Sequence, residues 1–318
     1  MRVAIIGAGR MGEAHAEAWG ALAPETEVVA VVGRRAPGPL AAAPGARLTT
    51  DLDGVLRDPG IGIVSLCTPT ATHLELTARA LAAGKHVLLE KPLALTVADG
   101  ERLVELAHRA RSTLMVAHVV RFFPGCAAVR RLVEAGGIGT VREVRAERLT
   151  AAVGRPAWLD DEDASGGVLL DLAVHDFDQL LLLLGPARRV EARRATDGTV
   201  EVTVQHRGGG VGRVRAGWDL PPEFPFTTVL DVRGDRGRIS NRAVAGGPDE
   251  LVVRTPDGST RTAIDPGSPY ADQARAFLES VRTGTPPVHG DPVAALAAVR
   301  LALAARTALG RGVPVDVP

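Results

Sequence analysis

The chain has 318 residues and no formal net charge, 37 Lys+Arg balancing 37 Asp+Glu, so nothing in its global electrostatics favours nucleic acid or an anionic membrane surface. Two cysteines, Cys67 and Cys126, are too few for a disulfide framework and suit a reducing compartment. Apolar residues make up 46% but aromatics only 3%, which at this length implies two domains with cores of Leu, Val, Ile and Ala.

The opening residues run straight into an apolar strand, 2–6, without the basic and long apolar regions of a signal peptide. The leucine run 180–184 is too short to span a bilayer, so a cytoplasmic location and no membrane partner are expected. Further strands are expected at 27–32, 61–67, 86–90 and 113–117. Helices are expected at 11–22, 73–83 and 96–110, with a weaker strand–helix pair across 46–58. Strands alternating with helices of this length imply right-handed βαβ units and a parallel, doubly wound sheet.

Between the first strand and first helix stands Gly7-Ala8-Gly9-Arg10-Met11-Gly12, a G-x-G-x-x-G string. With 36 glycines in the chain the string alone is weak; its place, closing a strand and opening a helix, is the signal. Glycines there permit a tight turn, backbone approach to a pyrophosphate and close helix–sheet packing, while the helix N-terminus offers N–H groups to the anion. An Asp or Glu at the end of the second strand would bind both ribose hydroxyls of NAD. Here the strand ends in Gly33-Arg34-Arg35, which leaves room and cationic donors for a 2′-phosphate and favours NADP(H) over NAD(H). Thr68, Pro69, Thr70 and His73 follow the fourth strand, where they either wall the cofactor or form an ordinary helix entry.

Of the 37 basic residues only Lys85 and Lys91 are lysine. Lys91 stands in Glu90-Lys91-Pro92 at the carboxyl end of an apolar strand, where open α/β sheets bind ligands. An ε-ammonium can shift its pKa and rotate its donors towards an alkoxide, which a guanidinium cannot do.

The rhythm changes between 118 and 124, dividing the chain into domains 1–120 and 121–318. A helix at 125–135, a strand at 140–149 and a long helix at 167–184 precede strands at 188–195, 199–206, 211–218, 226–233 and 251–254. Short turns between those strands predict a large, mostly antiparallel open sheet in an α+β domain, and helices at 270–283 and 291–309 end the chain. On the long helix Asp171, His175 and Asp178 share one face at i, i+4 and i+7. A carboxylate beside a histidine fixes its tautomer and raises its basicity, as a proton-transferring imidazole requires; the competing reading is acidic residues complementing a helix dipole. A metal bound by the same three is disfavoured, because no paired-Cys or HExxH spacing accompanies them. His118 and Arg121 at the domain junction are candidate substrate contacts. Trp158 either stacks on a sugar ring or anchors a core, and Arg148 and Arg155 could meet an anionic group.

Together these motifs resemble the glucose–fructose oxidoreductase/inositol dehydrogenase (Gfo/Idh/MocA) family. The likeness rests on Gly7–Gly12, Thr68-Pro69-Thr70 with His73, Ala83-Gly84-Lys85-His86-Val87 leading into Glu90-Lys91-Pro92, and Arg121-Phe122 with Pro124. It continues in the Gly166-Gly167 helix start carrying Asp171 and His175. The resemblance implies a Rossmann domain, a second domain whose open sheet forms homodimers or homotetramers, and reversible alcohol/ketone redox on a sugar, inositol or related polyol. It implies that Glu90 and Lys91 border the cofactor, with the Lys91-Pro92 bond cis. Lys91 would contact the nicotinamide ribose and a substrate hydroxyl, His175 would be the acid/base assisted by Asp171, and Asp178 would hold substrate hydroxyls. The readings that compete with a dehydrogenase are a non-catalytic nucleotide or sugar sensor and a redox-neutral glycosidase.

Overall fold

A computed structural model describes residues 1–35, 38–152 and 157–318. In the N-terminal half, apolar pentads and hexads form strands and the Ala/Leu/Glu/Arg stretches form helices. In chain order they are β1 (Arg2–Ile6), α1 (Arg10–Gly20), β2 (Glu27–Val32), β3 (Arg47–Thr49), α2 (Leu52–Arg57) and β4 (Ile61–Leu66). Then come α3 (His73–Ala82), β5 (His86–Glu90), α4 (Val97–Arg109) and β6 (Leu114–Ala117). The six strands lie in the order β3-β2-β1-β4-β5-β6, all parallel. The chain winds outward in one direction from β1 and in the other from β4. The adjacent carboxyl ends of these two strands (Ile6 beside Leu66) are therefore the topological switch point at which open sheets bind ligands.

The second half begins with α5 (Pro124–Glu134), β7 (Val141–Ala151) and the short α6 (Glu162–Ser165). The long helix expected at 167–184 is in fact two pieces: a π turn over Val168–Leu172 and α7 (Val174–Leu184), joined at Ala173. Ala173 N donates to Val168 O at 2.9 Å across the wide turn. Gly166 and Gly167 precede it in the left-handed region (φ 82° and 69°), and a Cβ on Gly166 would lie 2.4 Å from the Leu170 side chain, so this entry needs glycine. Then follow β8 (Ala187–Arg194), β9 (Val200–His206), β10 (Val211–Leu220), β11 (Thr227–Gly234), β12 (Arg238–Val244), β13 (Asp249–Thr255) and β14 (Gly258–Ile264). The chain ends with α8 (Pro269–Thr283), α9 (Pro292–Arg311) and β15 (Val315–Asp316).

The second sheet has nine strands in the order β14-β13-β12-β11-β7-β10-β9-β8-β15, antiparallel throughout except for β7 beside β10. Strands β12, β14 and β15 have no counterpart in the sequence reading.

Two compact units result: residues 1–122 with 268–296, and residues 123–267 with 297–318. The sequence reading placed 268–296 in the second domain; the structure groups them with the first unit. The reason is apolar. Phe277, Ala274 and Leu278 of α8 are buried with Trp19, Leu22, Val3 and Met115, and the Trp19 and Phe277 rings meet edge-on with centroids 6.2 Å apart. Burying a side chain of that size stabilises by about 1.5–3 kcal/mol, enough to hold α8 to the first core.

Candidate active site

In the first unit the glycine string divides its work. A Cβ on Gly7 would lie 2.3 Å from Cys67 O, and one on Gly12 would lie 2.1 Å from Gly7 O. Those two glycines are required by backbone packing against β4 and within the turn. A Cβ on Gly9 would meet nothing within 4 Å. Gly9 is also the N-cap of α1 and offers the first amides of the helix, from Arg10 and Met11 onward, no side-chain acceptor. Room and oriented donors in one place fit a dinucleotide pyrophosphate. At the end of β2, Gly33 N donates to Thr49 O at 3.1 Å, and Arg34 and Arg35 are exposed. No carboxylate stands at 33–35.

After β4, Thr68 and Pro69 lead into a 3-10 turn, Thr70–Thr72. The Thr72 hydroxyl lies 2.8 Å from Thr68 Oγ1 and 2.7 Å from Pro69 O, which closes the turn on itself. His73 is fully buried. Its Nδ1 lies 3.0 Å from Pro92 O and its Nε2 3.1 Å from Thr68 O, so it ties this turn to the one following β5. Burial lowers its pKa, against the pull of these carbonyls and of Glu90.

Lys91 directly follows β5 and has a cis bond to Pro92. Beneath it lies a buried group that the sequence reading missed. His15 Nε2 donates to Glu90 Oε1 at 2.9 Å, with His15 only 1% and Glu90 5% exposed. Glu90 Oε2 accepts the Lys91 amide at 3.2 Å. The Glu90 carboxylate, expected at the cofactor, is thus engaged inside the fold. Burial opposes its ionisation, but His15, Lys91 and His73 outweigh burial and hold the carboxyl below its ordinary range. Burial alone would depress His15 as well; the Cys67 sulfur and Glu90 overcome it and hold the imidazole up at about 10. Burial pushes the Cys67 thiol up, against the pull of His15. The signal for His15 was available: it sits among Gly12, Ala16 and Trp19 on the buried face of α1, a polar residue on an apolar stripe. His118 and Arg121 follow β6 in a tight turn, Arg121 N donating to His118 O at 3.0 Å, and both side chains are buried.

In the second unit Asp171 lies in the π turn and His175 and Asp178 lie in the first turns of α7, so the three are not on one continuous α-helical face as the spacing implied. His175 and Asp178 are buried and Asp171 is half-buried. Arg148 of β7 serves a different purpose from the anion contact considered for it. Its Nε and Nη2 donate to the two oxygens of Asp176, both at 3.0 Å, in a pair whose members are 5% and 3% exposed. This fork braces α7 against β7 immediately beside His175. Trp158 stands in a 3-10 turn, Ala157–Asp160, with only its backbone described, and Arg155 lies outside the described residues. Among the described residues, no group of three or more His, Cys, Asp or Glu side chains is placed to hold a metal ion.

A six-stranded doubly wound sheet with a glycine turn shaped for a dinucleotide, followed by a largely antiparallel nine-stranded sheet, defines a Rossmann-type oxidoreductase. Comparison with known sequences agrees. Residues 1–118 match the model described as "Oxidoreductase family, NAD-binding Rossmann fold", and residues 126–240 match the "GFO/IDH/MocA C-terminal domain". The 1,5-anhydro-D-fructose reductase of Ensifer adhaerens is 30% identical over 281 residues, 84% of each chain. The inositol 2-dehydrogenase of Rhizobium meliloti (strain 1021) is 28% identical over 322 residues, 93% of this chain and 94% of that one. Among solved structures, GenD2 from gentamicin A biosynthesis, in complex with NAD, superposes with a TM-score of 0.86 at 28% identity, covering 100% of this chain and 96% of that one. The chain belongs to the Gfo/Idh/MocA oxidoreductase family. Its named relatives are sugar and polyol dehydrogenases and reductases acting on CH–OH groups.

Proposed function

We propose that this protein is an NADP(H)-preferring cytoplasmic dehydrogenase or reductase that interconverts an alcohol and a ketone on a sugar, inositol or related polyol. The observation that carries the reading is the joint presence of the open Gly9 cradle, Lys91 directly after β5, and Asp171 in the π turn with His175 in the first turn of α7. When bound, the nicotinamide supplies the acceptor or donor of hydride. His175 takes the substrate hydroxyl proton, or returns it in the reverse direction, and Asp171 sets its basicity. The Lys91 ammonium supplies a cationic donor for alkoxide-like charge developing on a substrate oxygen. Asp178 accepts hydrogen bonds from neighbouring substrate hydroxyls, and His118, Arg121 and Trp158 are further substrate contacts. Thr68, Pro69 and Thr70 border the cofactor, and Arg34 and Arg35 take the 2′-phosphate. Two or four copies associate through the second sheet.

The test begins with titrations of NADPH and NADH followed by intrinsic fluorescence, then a turnover screen on myo-inositol, 1,5-anhydro-D-fructose and sugar acids. NADPH binds more tightly, Arg34→Ala levels the two cofactors, and net reduced or oxidised cofactor accumulates with one substrate class. Tighter NADH binding in the parent protein overturns the cofactor assignment. Full turnover in His175→Ala removes that residue from the chemistry.

A further inference from the structure

The Glu90 carboxylate has two oxygens, and the fold uses them in different directions: Oε1 meets His15 Nε2 at 2.9 Å and Oε2 meets the Lys91 amide at 3.2 Å. On the other side of Lys91, the Pro92 carbonyl faces His73 Nδ1 at 3.0 Å. The backbone on both sides of Lys91 is therefore anchored by buried polar groups. One of them, His15, belongs to α1, the helix that the glycine turn opens. We propose that His15 and Glu90 are positioning residues for Lys91, linking the cofactor-binding turn to the placement of the ammonium at the end of β5.

Three considerations favour this over a purely structural pair. Stability alone is served as well by apolar residues of similar volume, since desolvating an ion pair offsets most of its attraction. A side chain with two polar terminal atoms meets His15 and the Lys91 amide at once, which no apolar side chain of similar volume does. Both side chains are too deeply buried to touch a substrate, so any effect on turnover must pass through a neighbour, and the Lys91 backbone amide donates a hydrogen bond to the carboxylate directly. The inference rests on the reading of Lys91 as the cationic group of the reaction, and the experiment separates the two.

With only two lysines in the chain, ¹⁵N-lysine labelling gives two backbone amide resonances, Lys85 and Lys91, the first an internal control. Glu90→Ala and His15→Leu move the Lys91 resonance and leave that of Lys85 in place, with NADPH affinity within about twofold of the parent. On the substrate found by the screen, each lowers kcat at least ~10-fold, and that loss disappears in a Lys91→Ala background because the residues act as a unit. Glu90→Gln can still accept the Lys91 amide and donate to a neutral His15; it folds, returns the Lys91 resonance towards the parent position and recovers most of the turnover. If Glu90→Ala does not fold, Glu90→Gln and His15→Leu decide. An unmoved Lys91 resonance, or an equal loss of turnover with and without Lys91, overturns the positioning role. Normal turnover in Lys91→Ala alone instead overturns the reading of Lys91, whatever the resonances do.

Discussion

An ammonium and a guanidinium carry the same charge, yet only the ammonium is a compact donor on a flexible stem that can follow an oxygen as its charge grows. Lys91→Arg is therefore expected to behave like Lys91→Ala in turnover, losing at least ~10²-fold in kcat. NADPH affinity should change little in either variant, as checked by steady-state kinetics beside fluorescence titration. The buried pair below Lys91 makes a separate prediction about stability. His15 has a folded-state pKa raised above its ordinary 6.5, so its contribution is complete below that value and is lost as pH rises through the raised value near 10. Glu90 has its pKa lowered from 4.5, so its contribution is complete above that value and is lost as pH falls through the depressed one. Urea midpoints measured from pH 6 to 10 should fall along an alkaline limb in the parent protein. In His15→Gln that limb should be flatter; an identical slope would show that His15 is neutral in the fold. The Arg148–Asp176 fork behaves differently again. Arg148→Ala leaves a buried carboxylate uncompensated and should cost about 3–5 kcal/mol, much of it regained when Asp176 is also made apolar, as measured by denaturant unfolding.

Much of the N-terminal architecture was legible because β1–β6 and their helices alternate between two hydrophobic periods that differ plainly, and the glycine string sits where those periods change. Periodicity failed where it stops being diagnostic. Leu169, Leu170, Val174 and Phe177 are buried whether the backbone advances as an α-helix or inserts one wide turn, so the π turn at Val168–Leu172 left no trace in the spacing. Strand β14 is exposed along nearly its whole length, so no apolar alternation announced it. His15 and Asp176 escaped notice because what matters about them is a partner 75 and 28 residues away in sequence. The glycine turn itself can be dissected at the level of the βα element. Gly12→Ala drives a methyl into the Gly7 carbonyl and should destabilise the first unit by several kcal/mol, in the range of a strained backbone site. Gly9→Ala meets open space and should leave the melting temperature nearly unchanged while weakening NADPH binding at least ~10-fold, because the methyl occupies the place of the phosphate. Thermal unfolding and cofactor titration on the two variants should therefore give opposite patterns; a Gly9→Ala protein with parental affinity would move the pyrophosphate elsewhere.

Across the molecule as a whole, the second sheet has two unlike faces. Val144, Ala146, Val202, Val204, Val214 and Val232 alternate into a buried face against which α7 packs over β7 and β10. The alternate positions carry charge, and the charges are already matched: Arg213 with Glu143 at 2.9 Å, and Arg145 with Glu147, Arg193 with Glu201 and Arg238 with Asp231. A face bearing cations and anions in similar number can complement itself across a two-fold axis, because each cation finds the partner copy's anion in the same pattern. The expected homo-oligomer would then be held by polar contacts rather than by an apolar core, and screening should loosen it. The Debye length shrinks from about 10 Å at 0.1 M salt to about 3 Å at 1 M. Light scattering across that range should record a mass that drifts towards the single chain at high salt. Arg213→Glu combined with Arg145→Glu should bring the same drift at low salt, by setting like charges against each other within the face. A mass that stays at a dimer or tetramer in 1 M salt, and in the double variant, would place the association on a different surface from the charged face of this sheet.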